Sequence, residues 1–295
     1  MRSILKLVIN WYSSRFAFPF RGEKYFHWLL KKTKLEKERF VKKLAGNLVM
    51  EISAIDHIER HLLWYGSYEK KESDTMQSLL TASTIFIDIG ANVGYYSLLA
   101  AQMITTGRVY SFEPVSATYK KLLQNISLND FSSIYCEQVA ISNFTGQATV
   151  FLSADENTGM SGLQSAKNFS GKTEIINCIT LDEAQVNFNI PKIDLIKIDV
   201  EGSEVTVLKG MEQIINRYKP ILLIEISIAT LALHNEKIET IYELLFAKNY
   251  IAFQVIEANV LKQVYYPQEA NLMFFFHKDF IFPTQIHFVN ELYNG

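Results

Sequence analysis

Three groups of acidic residues and one glycine turn carry the chemical signal of this sequence. The stretch FIDIGANVGYYS, residues 86–97, reads as an apolar strand, a turn holding Gly90 and Gly94, and the start of a helix, the outline of a nucleotide-binding turn. Gly90 stands where the chain must turn sharply after the strand, and Gly94 where a helix must start close to the sheet. A dinucleotide fingerprint has a central glycine that lets backbone approach a pyrophosphate, and here that position is Asn92. A side chain is tolerable there if the ligand has no pyrophosphate. S-adenosylmethionine is such a ligand, and Asp88 at the strand end is placed to accept a hydrogen bond from its ammonium group. Glu113 ends the next strand, VYSFEP, 25 residues after Asp88, where an open α/β sheet sets an acidic side chain to take both ribose hydroxyls.

Further along, IKIDVEG and LLIEI put Asp199 and Glu201 at one strand end and Glu225 at the next. The carboxyl ends of parallel strands face the ligand crevice, so the three acids are expected to converge there. If the ligand is S-adenosylmethionine, its sulfonium methyl would leave by in-line displacement, and an alcohol that accepted it would also have to lose a proton to a general base or have its pKa lowered by a metal. A hard cation such as Mg²⁺ suits an all-oxygen site, with Asp199 and Glu225 as its ligands. In the competing arrangement Glu201 caps the helix that follows and Asp199 acts alone as base or orienter. Lys197 lies on the same strand face as Asp199, as a further catalytic candidate or as the partner of a carboxylate. His234 is either a base or a packing residue.

The elements that must position these residues follow an alternating rhythm. From residue 84, strand, turn and helix repeat through TIFIDIG, YYSLLAAQM, GRVYSFEP, SATYKKLLQNISLND and IYCEQVAIS, and again through KIDLIKIDVEG, SEVTVLKGMEQIINRY and KPILLIEIS. This alternation predicts a parallel sheet with right-handed crossovers. QATVFLS and EIINCITLD flank the polar stretch ADENTGMSGLQSAKNFSGKT, which reads as an inserted hairpin or lid. There Asn157, Ser161 and Gln164 are candidates to contact acceptor hydroxyls, with Gly159 and Gly162 as hinges; the alternative is a surface loop. Residues 24–80 show helical spacing and are expected to form a helical cap, in which Trp64 and Tyr65 read as core. The expected division is a basic arm and cap over residues 1–80 and a ligand-binding domain over 81–295.

Charge is unevenly distributed. Residues 1–43 hold twelve Lys/Arg against three Asp/Glu, a net +9, so the remaining 252 residues carry −11 within the total of −2. The overall balance gives no pull toward nucleic acid; the arm reads first as a solvated helical face, and alternatively as a contact for an anionic membrane or an acidic glycan. Cys136 and Cys178 lie in apolar runs without metal-ligand spacing and read as buried thiols of a reducing compartment. The first residues lack the pattern of a secretory signal, and no apolar run approaches the roughly 20 residues that span a bilayer. A cytoplasmic protein, peripheral at the inner membrane surface, is the expectation.

In sequence and order, FIDIGANVGYYSLLAA, VYSFEPVSATYKKLLQN, VAISNFTGQATVF, TLDE and IDLIKIDVEGSEVTVLKG with KPILLIEI resemble the FkbM family of S-adenosylmethionine-dependent methyltransferases. The resemblance covers about residues 50–277. It implies a Rossmann-like class I methyltransferase fold with a mostly parallel seven-stranded sheet, and methyl transfer to oxygen on a sugar, glycolipid or secondary metabolite. It assigns Asp88, Gly90, Asn92 and Gly94 to the methionine-binding turn and Glu113 to the ribose. By the same analogy Val139, Ala140 and Ile141 flank the adenine, Ser142 lies near its amine, and Tyr68 and Glu69 close over the cofactor from the cap. Two other readings stand beside it: an NAD-dependent oxidoreductase, disfavoured by Asn92, and a catalytically silent fold serving as a membrane-surface or partner-binding module.

Overall fold

The computed structural model describes residues 7–8, 23–153 and 169–289. Helix α1 (Glu23–Thr33) leads into a hairpin of β1 (Phe40–Lys43) and β2 (Val49–Ile52), then α2 (His57–Tyr65) and α3 (Lys70–Leu79). The cap is therefore not wholly helical as expected. Phe40, Met50 and Ile52 are fully buried while Val41 and Lys43 face outward, a period-two pattern that takes this segment out of helix.

The main body runs β3 (Ile85–Ile89), α4 (Tyr95–Met103), β4 (Arg108–Phe112), α5 (Ser116–Ser127), β5 (Ile134–Glu137), β6 (Ala140–Ile141), β7 (Gly146–Ser153), β8 (Phe169–Ile179), α6 (Leu181–Asn187) and β9 (Leu195–Ile198). It continues with α7 (Glu204–Lys209), α8 (Glu212–Tyr218), β10 (Ile221–Ile226), α9 (Ile228–Leu233), α10 (Ile238–Phe246), β11 (Tyr250–Glu257), β12 (Val260–Val264), β13 (Ala270–His277) and β14 (His287–Phe288). One sheet has the order β14-β12-β11-β13-β10-β9-β3-β4-β5. The seven expected strands are all present, with β13 antiparallel to both its neighbours, and β12 and β14 extend the edge to nine.

Two local expectations are corrected. IYCEQVAIS is not one strand: β5 stays in the large sheet, and β6 leaves it to pair with β8, which also forms the expected hairpin with β7. SEVTVLKGMEQIINRY is not one helix, because it breaks at Gly210 between α7 and α8. The Ser142 carbonyl packs so closely there that a Cβ on Gly210 would lie 1.9 Å from its oxygen.

The sheet is covered on both faces. Alternate strand residues Phe86, Val109, Leu195, Leu223 and Phe274 pack with α4 and the cap, and Ile87, Phe112, Ile196, Ile198 and Leu222 pack with α6, α7, α8 and α10. Leu30, Phe40 and Leu62 of the cap lie in the same core as the first face, so residues 23–80 share a core with the sheet and do not form one of their own. Helix α5 fastens the cap. Asn125 accepts from Glu51 N (2.8 Å), Asn129 accepts from Val49 N (2.9 Å), and Asn125 Nδ2 donates to Val93 O (2.9 Å), which ties the β2 edge to the glycine turn. Lys121 of α5 reaches the fully buried Glu59 of α2 at 2.9 Å.

Gly90 adopts φ +76, and a Cβ there would stand 1.9 Å from the Asp199 carbonyl oxygen. The bare turn is what lets β9 lay its end across β3. Gly90→Ala should therefore cost about 3 kcal/mol or more in urea unfolding. Gly66→Ala, at φ +73 with nothing within 4 Å, should cost only about 1 kcal/mol. Equal small losses would show that the turn relaxes freely.

Candidate active site

Period-two alternation builds the site in layers on the α4 face of the sheet. Ile221, Leu195, Phe86, Val109 and Ile134 are register neighbours and form an apolar rung. Two residues nearer the carboxyl ends, Leu223, Lys197, Asp88, Ser111 and Cys136 are register neighbours in turn, and the last four carry polar or ionisable groups. Two residues further still, the strand ends bring Glu225, Asp199, Gly90 and Glu113 to the rim of the crevice.

The middle rung is buried except at Cys136, which is half-buried rather than fully buried as expected. Ser97 of α4 donates to Asp88 Oδ2 at 2.5 Å, and the Ser111 hydroxyl lies 2.7 Å from Ser97 Oγ, where it must be the donor because the Ser97 proton is already engaged. Asp88 is fully buried, and its Oδ1 has no hydrogen-bond partner in the protein. Burial raises the Asp88 pKa, against the pull of Lys197 and Ser97. The Lys197 ammonium lies 2.8 Å from Asp199 Oδ2 and 4.8 Å from the Tyr96 ring centroid. Burial alone would push Lys197 down, but Asp199 and Asp88 outweigh it and the lysine stays charged. Cys136 is hydrogen-bonded to Ser111, and burial pushes its thiol up to about 12, as suits an unreactive structural thiol.

The rim acids do not behave alike. Burial works against ionisation of Asp199, yet the Lys197 ammonium and a hydrogen bond from Glu225 hold it below the ordinary carboxylate range. Burial, then the charges of Asp199 and Glu201, push Glu225 up to about 11, so the Asp199–Glu225 pair holds one proton. Burial and Asp199 push Glu201 up to about 8. One carboxylate oxygen from each of Asp199, Glu201 and Glu225 lies within 4.8 Å of the others. Glu113 turns its oxygens to Asn92 N (3.1 Å) and Val115 N (3.0 Å), bracing the turn, and burial pushes it up to about 7. Asn92 itself sits at φ +50, a conformation asparagine tolerates.

Glu201 does not cap the following helix. The helix has no side-chain cap; Glu204, its first residue and 1% exposed, instead turns Oε1 back to accept from Gly202 N (3.0 Å) and Val200 N (3.3 Å) of the preceding turn. Glu204 thereby holds Glu201 in the left-handed region at φ +52, with its carboxyl at the rim. From the cap, Tyr68 N–H donates to Tyr95 Oη (3.1 Å) and Tyr96 Oη donates to Glu69 Oε2 (2.7 Å). Burial and Asp199 raise Glu69 to about 7. The Tyr68 phenol is raised by burial and then by Glu69, Asp199, Glu225 and Glu201, so the cap does bring these two residues to the acidic rim.

Of the other expected site residues, Ile141 and Ser142 are buried, with Ser142 N–H donating to Ile179 O at 2.9 Å and Ser142 Oγ left without a hydrogen-bond partner in the protein. Val139 and Ala140 are half-buried. His234 packs its ring against Gly202, and burial lowers its pKa. Asn157, Ser161 and Gln164, with Gly159 and Gly162, lie outside the described residues. Sequence reasoning missed Ser97, Ser111, Tyr96 and Glu204. The period-two rule applied across neighbouring strands would have found Ser111, and the helical register of YYSLL facing Asp88 would have found the other two α4 residues.

A sheet ordered β5-β4-β3-β9-β10-β13-β11 with β13 reversed, a glycine turn after β3 and an acid after β4, is the class I methyltransferase arrangement. Residues 88–252 match the model of the methyltransferase FkbM domain, and the chain belongs to that family. Methyltransferase sdnD of Sordaria araneosa is 26% identical over 162 residues, which are 45% of this chain and 62% of that protein. Hexuronic acid methyltransferase AglP of Haloferax volcanii is 27% identical over 143 residues, 48% of this chain and 56% of that protein. The match thus spans about three fifths of each curated relative. The crystal structure of methyltransferase FkbM from Methylobacillus flagellatus KT is 20% identical with a TM-score of 0.42, covering 75% of this chain and 52% of that one.

The raised carboxyls link stability to pH. Between the ordinary glutamate range and about 8, the folded chain keeps protons on Glu69, Glu113, Glu204 and Glu201 that the unfolded chain has lost. Stability should therefore fall as pH rises through that window, while the lowered Asp199 acts only at more acidic pH. Thermal melting should give a higher Tm at about pH 5 than at about pH 8. A Tm that rises across this range would mean that these groups are ionised and paired in the fold.

Proposed function

We propose that the protein is an S-adenosylmethionine-dependent methyltransferase that acts on a hydroxyl oxygen of a sugar, glycolipid or secondary metabolite. The observation that carries this reading is the layered acidic crevice, in which one buried ammonium is surrounded by more carboxyl groups than it can neutralise. Carboxyls held protonated in such a crevice are poised to ionise toward an incoming cation, and a sulfonium with its own ammonium group is such a cation. The unpartnered Asp88 Oδ1 is an acceptor for that ammonium, and Glu113 keeps lone pairs for the ribose.

The chemistry divides among the rim residues. Asp199, fixed by Lys197, is a rigid acceptor that orients the acceptor hydroxyl for in-line attack. Glu201, at about 8, is matched to take the hydroxyl proton near neutral pH, and Glu225 holds its own proton against Asp199. The sulfonium is the source of the methyl group. A second reading rests on the three carboxylate oxygens within 4.8 Å of one another. Asp199, Glu201 and Glu225 would hold a Mg²⁺ ion after drawing inward, since octahedral Mg²⁺ needs oxygens at about 2.1 Å; the ion would lower the pKa of the hydroxyl.

A relative named for a hexuronic acid supports a sugar-type acceptor. The carboxyl surplus here favours an uncharged sugar over a uronate, because a second carboxylate at the rim would be repelled. Cytoplasmic placement accords with two free cysteines. Among the described residues no helix is long and apolar enough to cross a membrane. Contact of the basic arm with an anionic surface would bring a lipid-linked acceptor to the crevice.

Calorimetric titration should show micromolar binding of S-adenosylhomocysteine and none of NAD, and Glu113→Gln should weaken it by about 1–2 kcal/mol. Preference for NAD, or binding of neither, would overturn the cofactor reading; loss of binding or turnover with EDTA, restored by Mg²⁺, would select the metal reading. In a screen of neutral sugars and their uronates, Asp199→Asn should keep cofactor affinity and lose about 10²-fold or more in kcat. Glu201→Gln should abolish the rise of rate through pH 8. Unimpaired turnover in both variants would remove these residues from the mechanism.

A further inference from the structure

We propose that residues 28–43 form a docking surface for an anionic lipid bilayer. The inward side of this segment is fixed: Leu30, Leu35 and Phe40 are buried in the core shared with the sheet. The outward side carries Trp28, 51% exposed, with exposed Lys31 and Lys32 three and four positions on, so the three are neighbours on one helix surface. The Lys32 ammonium lies 4.8 Å from the Trp28 ring centroid. Exposed Lys34 and Lys37 follow, and β1 then presents Val41, 54% exposed, and Lys43. Glu38 is the exposed acid within this stretch.

An indole set among lysine stems is the chemistry of the bilayer interface. Tryptophan settles at headgroup level, lysines lay their methylenes along apolar surface while their ammonium groups stay at the phosphates, and anionic headgroups attract the charge. Upstream, Leu7 and Val8 are also exposed, at 67% and 45%. A nucleic acid would engage the same lysines but has no use for exposed Val41, Leu7 and Val8. Charge complementarity fixes the orientation: residues 1–43 carry +9 and the rest of the chain −11, so an anionic surface attracts the arm and repels the body.

The surface is anchored to the crevice. Lys42, on the inner side of β1, donates to the carbonyls of Leu62 (3.2 Å) and Leu63 at the end of α2, the element that leads into Tyr68 and Glu69. Docking would hold the cap side of the crevice at the lipid, where a lipid-linked acceptor is presented. That consequence rests on the methyltransferase reading, whereas the docking does not.

The test is co-sedimentation of the full chain with vesicles of phosphatidylcholine alone and of equal parts phosphatidylcholine and phosphatidylglycerol. Binding is expected only to the second, and should be lost in about 0.5 M NaCl. Lys31→Glu with Lys32→Glu should lower the partition coefficient roughly tenfold or more. Trp28→Ala should lower it several-fold and keep the salt dependence. Lys237→Glu with Lys278→Glu, two exposed lysines of the body, should leave binding unchanged. Circular dichroism of each variant separates lost docking from lost fold, and S-adenosylhomocysteine affinity tests the cofactor reading independently. Equal binding to both vesicles, binding to neither, full binding by the variant that combines Trp28→Ala, Lys31→Glu and Lys32→Glu, or tighter binding to transfer RNA than to anionic vesicles would overturn the proposal.

Discussion

The Lys197 ammonium is the interaction on which the crevice is built. A cation this deeply buried is tolerable only beside carboxylates, and the sheet register supplies them: Asp88 is its direct neighbour on β3, and Asp199 lies two residues ahead on its own strand. The lysine then decides the state of the rim. Burial raises both Glu225 and Glu201, and the Asp199 charge that the lysine maintains raises them further, Glu225 more because it also feels Glu201 and shares a hydrogen bond with Asp199. The Tyr96 ring below the ammonium closes off the apolar side, and its hydroxyl carries the network on to Glu69.

Such a cluster would fall apart if the backbone around it could yield. It is held from three directions. Glu204 ties the Asp199–Glu201 turn through two backbone N–H groups, Glu113 ties the glycine turn in the same way, and Asn125 joins that turn to the cap hairpin. Each tie places a buried polar side chain on backbone groups of a turn or strand edge, so breaking it costs a buried hydrogen bond as well as loosening the turn. The crevice is thereby organised before any ligand enters, which is what an in-line displacement needs from a protein.

The uneven charge of the chain acquires a spatial meaning in the fold. Carboxyl groups gather at the carboxyl ends of the strands, and exposed Lys31, Lys32, Lys34, Lys37 and Lys43 lie along the first helix and hairpin of the cap. The β1–β2 hairpin lies between them, clasped to α2 by Lys42 and to α5 by Asn125 and Asn129. One short hairpin thus couples an outward basic surface to the residues that roof the acidic crevice.

The architecture was legible in the sequence because its signals are local. Strand, turn and helix alternate at spacings that leave few topologies, the glycines at 90 and 94 mark a turn, and Asp88, Glu113, Asp199 and Glu225 stand at strand ends that any parallel sheet gathers on one side. Where two local readings were equally good, sequence could not choose between them. Glu201 and Glu204 both stand at the start of α7, and only the left-handed turn at Glu201 shows that it is Glu204 that ties the preceding backbone. Gln138–Val139 could continue β5, and only the pairing of β6 with β8 takes the chain out of the sheet and buries Ile141 and Ser142. The proton affinities of the rim acids were beyond sequence altogether, since they depend on burial and on charges brought together by register and packing from positions as far apart as Glu69 and Glu225. Residue type and spacing determined which acids reach the crevice; the three-dimensional neighbourhood of Lys197 decided which of them is charged.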